Sequence, residues 1–216
     1  MPKPTFFNLP DEKRQAILDL AIAEFAQHDY KNASISRIVA QAGIAKGSFY
    51  QYFEDKQELY LYLIDLMAAE KMRLLQGEPP PDTAADIFAL IRWLLRAGLN
   101  FEFANPQLAQ IGYRALYGDA PLPTETRTAM TKGTLHYFQA LVHQGVVQGV
   151  IAADIDHEAA AFIFSVIFTN LGDYLLKRQG GDPAHLLSDP QYLFATAEVE
   201  PFFEQILHIL QRGDGR

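Results

Sequence analysis

The stretch Ser34-Ile35-Ser36-Arg37-Ile38-Val39-Ala40-Gln41-Ala42-Gly43-Ile44-Ala45-Lys46-Gly47-Ser48-Phe49-Tyr50-Gln51-Tyr52-Phe53-Glu54-Asp55-Lys56 decides the fold. Its first half carries one apolar face, Ile35, Ile38 and Val39, behind a serine that suits an N-cap. Gly43 can take positive φ and so end that helix. Ala45 to Tyr52 reads as a second short helix, with Phe49 and Phe53 four apart on its buried stripe. Two short helices joined through Ala42-Gly43-Ile44 make a helix-turn-helix. The second helix opens with a cation, a bare backbone and a hydroxyl: Lys46, Gly47 and Ser48. A helix entering the major groove needs such a narrow polar first turn, whose backbone N–H groups also suit phosphate. Tyr50 and Tyr52 lie two apart and point to different sides, each with a hydroxyl able to reach a phosphate oxygen. Lys56, in the first turn of the next helix, is placed to pin a second phosphate. Taken singly, the tyrosines fit half-buried packing and Arg37 fits a solvated ion pair. The register of cap, glycine turn, Lys-Gly start, tyrosines and lysine is what points to DNA.

Working outward, the period of three and four continues. Ile17, Leu18, Ala21, Ile22 and Phe25 predict a helix from Pro10 to His28, with Asn8 as its cap and Pro10, Asp11 and Glu12 in its first turn. Asp29 to Asn32 reads as a turn. Asp55 and Glu58 form a capping-box-like start for a long helix that runs to about Gln76. Gly77-Glu78-Pro79-Pro80-Pro81 stops it. Further helices are predicted over about 82–103, from Asn105-Pro106 to Gly118, from Thr124 to about Gln148, and over 159–177 behind Asp154-Ile155-Asp156 and ahead of Gly180-Gly181. A last helix finishes near Arg212, and Pro201 either starts or kinks it. No sustained period-2 alternation occurs, so the class is all-α: a three-helix head with a helix-turn-helix, plus a larger helical body, about nine helices in all. The domain boundary is set at residues 54 and 55, giving 1–54 and 55–216, with 77–81 as a Pro-rich linker.

Composition narrows the function. The chain has 216 residues, enough to bury a real core, and no cysteine, which excludes a disulfide scaffold, a thiolate metal site and a Cys nucleophile. With 18 Lys+Arg against 26 Asp+Glu, a general basic coat for nucleic acid is excluded, but a local site is not. Residues 1–60 hold seven basic and eight acidic groups, so the first quarter is nearly neutral and the remainder carries the acidic excess. Any polyanion contact therefore belongs to the first quarter, and a neutral head on an acidic body binds random DNA poorly. The opening residues lack an apolar targeting segment and no run is long enough to span a membrane, so the expected compartment is the cytoplasm and no membrane partner is expected.

The run Ile44-Ala45-Lys46-Gly47-Ser48-Phe49-Tyr50-Gln51-Tyr52-Phe53, followed by Lys56 and Leu59 and preceded by a helix capped by Ser34, resembles the TetR/AcrR-type transcriptional regulator family. The resemblance covers residues 10 to about 60 well, and beyond that rests on helix count, length and the Asp154-Ile155-Asp156 entry. It implies a homodimer in which each subunit carries a DNA-binding head and a ligand-binding body. It also implies that Lys46, Gly47, Ser48, Tyr50, Gln51, Tyr52 and Lys56 face double-stranded operator DNA, with Ser34, Ser36 and Arg37 of the preceding helix near the backbone. One departure is Ala45, where the family often has Ser or Thr; that cap is weaker by about 1 kcal/mol.

The same resemblance implies a cavity in the body whose occupant shifts the heads. Aromatics suit a hydrophobic or flat inducer, and the candidate lining is Phe88, Trp93, Arg96, Asn100, Phe103, Tyr113, Tyr117, Tyr137, Phe164 and Phe168, although each aromatic fits a plain core as well. In the family the last two helices build the dimer's four-helix bundle, which points to Ile163, Ile167, Asn170, Leu171, Phe202, Phe203, Ile206 and Leu210. No catalytic residue, cofactor or metal is expected. His136 and His143 stand two turns apart without a carboxylate pair at ligand spacing, and neither a Gly-rich phosphate loop nor a Gly-x-Ser-x-Gly elbow is present. The competing reading is a small-molecule carrier or protein-interaction module without specific DNA binding. Steep salt dependence and preference for one operator would count against it.

Overall fold

The computed structural model describes residues 1–77, 80–81, 87–118, 120–178, 201–202, 204–206 and 208–209. Among these the chain is all helical, with no strand. The helices are α1 (Pro4–Phe7), α2 (Asp11–Gln27), α3 (Ile35–Gln41), α4 (Lys46–Tyr52), α5 (Lys56–Gly77), α6 (Ile87–Ala104), α7 (Pro106–Tyr117), α8 (Thr124–Val147) and α9 (His157–Arg178). Described residues between 201 and 209, Pro201 among them, are helical as well. The predicted starts at 82–86, the Gly180-Gly181 stop and the end near Arg212 lie outside the described residues.

Two compact units account for the contacts. The first comprises Met1–Arg73 and Asn105–Arg127; the second comprises Leu74–Ala104 and Thr128–Arg216. In the first, α2 packs on α3 and α7, α3 packs on α4, and α1 packs on α4. Its interior is built from Ile17, Leu18, Ala21 and Phe25 of α2, Ile38 and Val39 of α3, Phe49, Tyr52 and Phe53 of α4 and its end, Leu59, Tyr60 and Leu63 of α5, and Ile111 and Ala115 of α7. Each large apolar side chain buried there contributes about 1.5–3 kcal/mol. The second unit has a core of Ile87, Phe88, Ile91, Leu95 and Leu99 from α6, Phe138, Leu141 and Val142 from α8, and Ala161, Phe164 and Leu171 from α9.

Ser34, Asp55 and Asp156 cap as their positions predict, whereas Asn105 stands at the N-cap of α7 without a side-chain cap hydrogen bond and Thr124 is the first residue inside α8. Asp55 accepts from the Glu58 N–H at 2.8 Å, while the Glu58 carboxylate reaches back to the Glu54 N–H at 2.6 Å. Asp156 accepts from the N–H groups of Glu158 and Ala159 at 2.9 and 3.0 Å and opens α9. Asn8 is a correction. It does not cap α2; it ends α1, an additional one-turn helix started by Pro4, and Pro10 takes the cap position of α2. The arm forms this turn because Pro4 supplies a preset φ at the first helical position and Phe6 is fully buried against its neighbours.

Candidate nucleic-acid interface

The turn between α3 and α4 is built by local chemistry. The Ser34 hydroxyl accepts from the Arg37 N–H at 3.4 Å and caps α3. Ile44 N–H donates to the Val39 carbonyl at 3.0 Å and Gly43 N–H to the Ala40 carbonyl at 3.3 Å, closing a Schellman motif. That motif requires positive φ at its hinge, and Gly43 has φ +64°. α4 then begins at Lys46 with no side-chain cap from Ala45.

α4 has two faces. Phe49 and Tyr52 are buried, and Phe53 follows them into the core. Gly47, Tyr50 and Gln51 share the opposite face by their three- and four-residue spacing, and all three are exposed, Tyr50 to 48%. Lys46 is exposed beside them, and its ammonium has no hydrogen-bond or ion-pair partner among the described residues. Ser48 is half-buried and Ser36 of α3 is exposed. A Cβ added at Gly47 would meet nothing within 4 Å, so the fold itself does not demand glycine there.

The remaining residues expected at DNA are engaged inside the head. Arg37 Nε donates to both carboxylate oxygens of Glu24, at 3.0 and 3.1 Å, and its Nη2 to Glu24 Oε1 and to the Asn32 carbonyl at 2.8 Å. Glu24 is buried and also accepts from the Ser34 N–H at 2.7 Å. Burial pushes its carboxyl upward, but the hydrogen bonds from Arg37 and Ser34 and the guanidinium charge outweigh that and hold it below the ordinary carboxylate range. Lys56 Nζ donates to the carbonyls of Tyr30, Ala33 and Lys31 at 2.7, 3.0 and 3.3 Å and lies 4.5 Å from the Tyr30 ring centre. Three acceptors occupy the three ammonium protons, so in this structure Lys56 closes the turn after α2 instead of standing free for a phosphate. Tyr52, 7% exposed, packs 6.0 Å from the Phe6 ring. Sequence reasoning missed the acceptors of Lys56 and Arg37 because they are backbone carbonyls and a carboxylate distant in sequence.

α7 belongs to the same unit. Arg114 Nη1 donates to the Phe25 carbonyl at 3.2 Å and its Nε lies 3.8 Å from Asp29, the buried Tyr60 hydroxyl donates to the Ile111 carbonyl at 3.2 Å, and Gln57 donates to the Pro121 carbonyl at 2.9 Å. Of the candidate ligand residues, Tyr113 lies in this first unit and is half-buried. Phe88 and Phe164 are in the core of the second unit, Trp93 and Phe168 pack against that core, and Arg96, Asn100 and Tyr137 are exposed. The side chains of Phe103 and Tyr117 lie outside the described residues.

On α9, Leu171 is buried, Ile167 packs against the core, Asn170 donates to the Val166 carbonyl at 2.8 Å, and Ile163 is exposed to 45%. The open apolar stripe is Phe162, Ile163, Val166 and Tyr174, and Tyr174 stacks on Phe202 at 5.6 Å. Phe202 and Ile206 pack against the core of the second unit; Phe203 and Leu210 lie outside the described residues. The described helices include none long and apolar enough to cross a membrane, and no group of His, Asp or Glu that could hold a metal ion occurs among the described residues.

Residues 17–63 match the family described as Bacterial regulatory proteins, tetR family, and residues 85–213 match Tetracyclin repressor-like, C-terminal domain. The HTH-type transcriptional repressor SCO4008 of Streptomyces coelicolor is 32% identical over 66% of this chain and 69% of its own. The fatty acid metabolism regulator protein of Bacillus subtilis is 25% identical over 79% of this chain and 87% of its own. Among solved structures, a TetR family transcriptional regulator from Chloroflexus aurantiacus J-10-FL is 48% identical, covers 99% of this chain and 98% of its own, and has a TM-score of 0.89.

Proposed function

The chain belongs to the TetR family of bacterial regulatory proteins, whose members act in transcription and not in catalysis, and from that premise we propose that it is a homodimeric repressor of the HTH type, released from a pseudo-palindromic operator by a hydrophobic small molecule. The observation that carries the DNA reading is the outer face of α4. Gly47, Tyr50 and Gln51 lie open beside an unpaired Lys46, while Phe49 and Tyr52 root the same helix in the core. Lys46, Ser48 and Ser36 reach phosphates, Tyr50 and Gln51 reach base edges, and Gly47 lets the backbone come close. Ser34, Arg37, Tyr52 and Lys56 serve this face by holding α3, α4 and the turn after α2 in place.

In functional terms residues 1–54 are the DNA-binding domain, and residues 55–216 bind ligand and dimerise. The exposed stripe Phe162, Ile163, Val166 and Tyr174 supports a partner chain on α9, since a stripe of that kind is costly to leave in water. The aromatic content of α6, α8 and α9 supports a hydrophobic inducer, and the compartment is the cytoplasm. Coupling is reciprocal: DNA selects one spacing of the heads and the inducer another, so each weakens the other's binding. α5 and α7 are the levers, because both carry the first unit's contacts and lead directly in the chain to the second.

The test is a titration against a duplex that the protein itself enriches from a random-sequence library, at near-physiological salt. A wild-type complex with two chains per duplex that resists random competitor DNA is expected. The Lys46→Ala/Tyr50→Ala variant should bind at least about 30-fold more weakly, since each lost contact to base or phosphate is worth roughly 1–3 kcal/mol. Unchanged affinity in the folded variant would remove α4 from the interface.

A further inference from the structure

α4 is seven residues long, too short to hold itself as a helix, and its N-terminal position is filled by Ala45 without a side-chain cap. Its other end is satisfied from far away in the sequence. The Phe49 carbonyl accepts from its own helix end, Phe53 N–H, at 2.9 Å. The next three carbonyls are taken by the N-terminal arm. Lys3 Nζ donates to Tyr50 O at 2.9 Å, the Thr5 hydroxyl donates to Gln51 O, and Lys3 N–H donates to Tyr52 O at 2.8 Å. The Lys3 ammonium sits where the negative end of the helix dipole lies and also pairs with Glu54 at 3.0 Å. Phe6, fully buried, anchors the arm among Tyr52, Phe53 and Tyr62 at ring-centre distances of 6.0, 4.8 and 6.0 Å.

We infer that the segment Lys3–Phe6 is a clasp that sets the DNA affinity of α4 without touching DNA, with Lys3 and Thr5 as positioning residues. The inference rests on the DNA reading of α4. Its physical content is that Tyr50 and Gln51 are held by their carbonyls while their side chains face outward. Fixing the backbone of those two residues before binding removes an ordering cost that the complex would otherwise bear. The sequence concealed this device, because a lysine and a threonine in an arm before the first long helix carry no periodic signal, and every residue has a carbonyl to offer.

The experiment uses the full chain and the duplex enriched by the wild-type protein, with fluorescence anisotropy at several potassium chloride concentrations. Thr5→Val removes one hydroxyl and keeps the shape; it is expected to weaken operator binding about fivefold, the worth of one hydrogen bond. Thr5→Ser should restore it, and affinity for random duplex should not move. Lys3→Met should weaken operator binding by about tenfold with the salt slope unchanged. Amides of residues 49–53 should exchange faster in both weakened variants, while those of α2 keep their protection. Two results overturn the clasp: operator binding by Thr5→Val equal to wild type, or a salt slope that falls by about one in Lys3→Met, which is the mark of a direct phosphate contact. Lys46→Ala/Tyr50→Ala run in parallel separates the two failures. If that variant loses the operator and Thr5→Val does not, the clasp alone is wrong; if that variant keeps it, the reading of α4 falls and the clasp's role falls with it.

Discussion

Both units have apolar cores, but the first also ties its backbone down with charged side chains from distant parts of the sequence. In the first, Lys56 holds three carbonyls after α2, Arg37 holds the Asn32 carbonyl and the Glu24 carboxylate, and Lys3 holds the Tyr50 carbonyl. In the second, aromatic and aliphatic side chains grip one another. Phe138 stacks on Phe164 at 6.0 Å and meets Phe168 edge-on at 5.6 Å, inside a cluster running from Ile87 to Leu171. Its bidentate ion pair, Arg92 to Glu204 at 2.7 and 3.2 Å, lies among partly exposed groups. Hydrogen bonds are directional and fix atoms to fractions of an ångström, whereas apolar burial depends on area and tolerates repacking. A short helix that reads DNA needs the first kind of order. The core of the second unit relies on the other kind.

The sharpest way to break this contrast is to empty the apolar core. Phe138→Ala should cost about 3–5 kcal/mol. The single tryptophan, Trp93, packs against that core, so its fluorescence in a urea titration reports the loss. The cost should be the same at low and high salt, and a strong salt dependence would contradict an apolar lock.

Glu24→Gln is the counterpart in the head and should cost about 2 kcal/mol, less than a fully buried pair because the Arg37 side chain is about half exposed. It also carries a pH signature. The folded Glu24 carboxyl is held below its ordinary value of 4.5, so its contribution is present above that pH and fades as pH falls through the lower folded value. Wild-type protein should therefore lose protection of α2 and α3 amides on acidification below about pH 4.5, and Glu24→Gln should flatten that part of the profile. An equal slope in both proteins would assign the acid sensitivity to other carboxylates.

The contrast also explains what was legible in the sequence. Ser34, Gly43, Asp55 and Asp156 act on backbone within five residues, so caps and turns could be read from spacing alone. Glu24 and Arg37 stand thirteen apart, Lys56 and Tyr30 twenty-six apart, and Lys3 and Tyr50 forty-seven apart. No local pattern encodes such pairs, and so Lys56 read as a free cation and Arg37 as either a phosphate contact or a solvated pair with an unnamed acid. In the second unit the difficulty was phase. α9 is apolar nearly all round, and Phe162 and Phe164 look alike in sequence, yet one is 59% exposed and the other is in the core. Choosing Leu171 for an outer face and passing over Phe162 and Tyr174 follows from that ambiguity. Phe88 and Phe164 show it again, since a core phenylalanine and a pocket phenylalanine have the same helical spacing.

Lys56→Met sharpens the comparison within the head, between residues that frame α4 and residues on its outer face. Removing the ammonium leaves three carbonyls near the surface for water to satisfy, so the stability loss should be about 1 kcal/mol. As a framing residue, Lys56 should leave the salt slope of operator binding unchanged. A slope lower by about one would mean that the side chain leaves its carbonyls and takes a phosphate in the complex.

Gly47→Ala should have the smallest effect on the fold, and of opposite sign. Gly47 sits in the first turn of α4 with nothing within 4 Å of an added Cβ, so alanine introduces no clash. Alanine also loses less conformational freedom than glycine on entering a helix, and the variant should gain up to about 1 kcal/mol in stability. If α4 lies in the major groove with its first turn against the duplex, the same methyl takes space that the DNA backbone needs, and operator affinity should fall while stability rises. Opposite signs in one substitution would mean that glycine is present for the partner and not for the fold. A gain in stability with affinity unchanged would move the close approach along the helix to Tyr50 and Gln51, leaving Lys46 as a long-range cation at the edge of the interface.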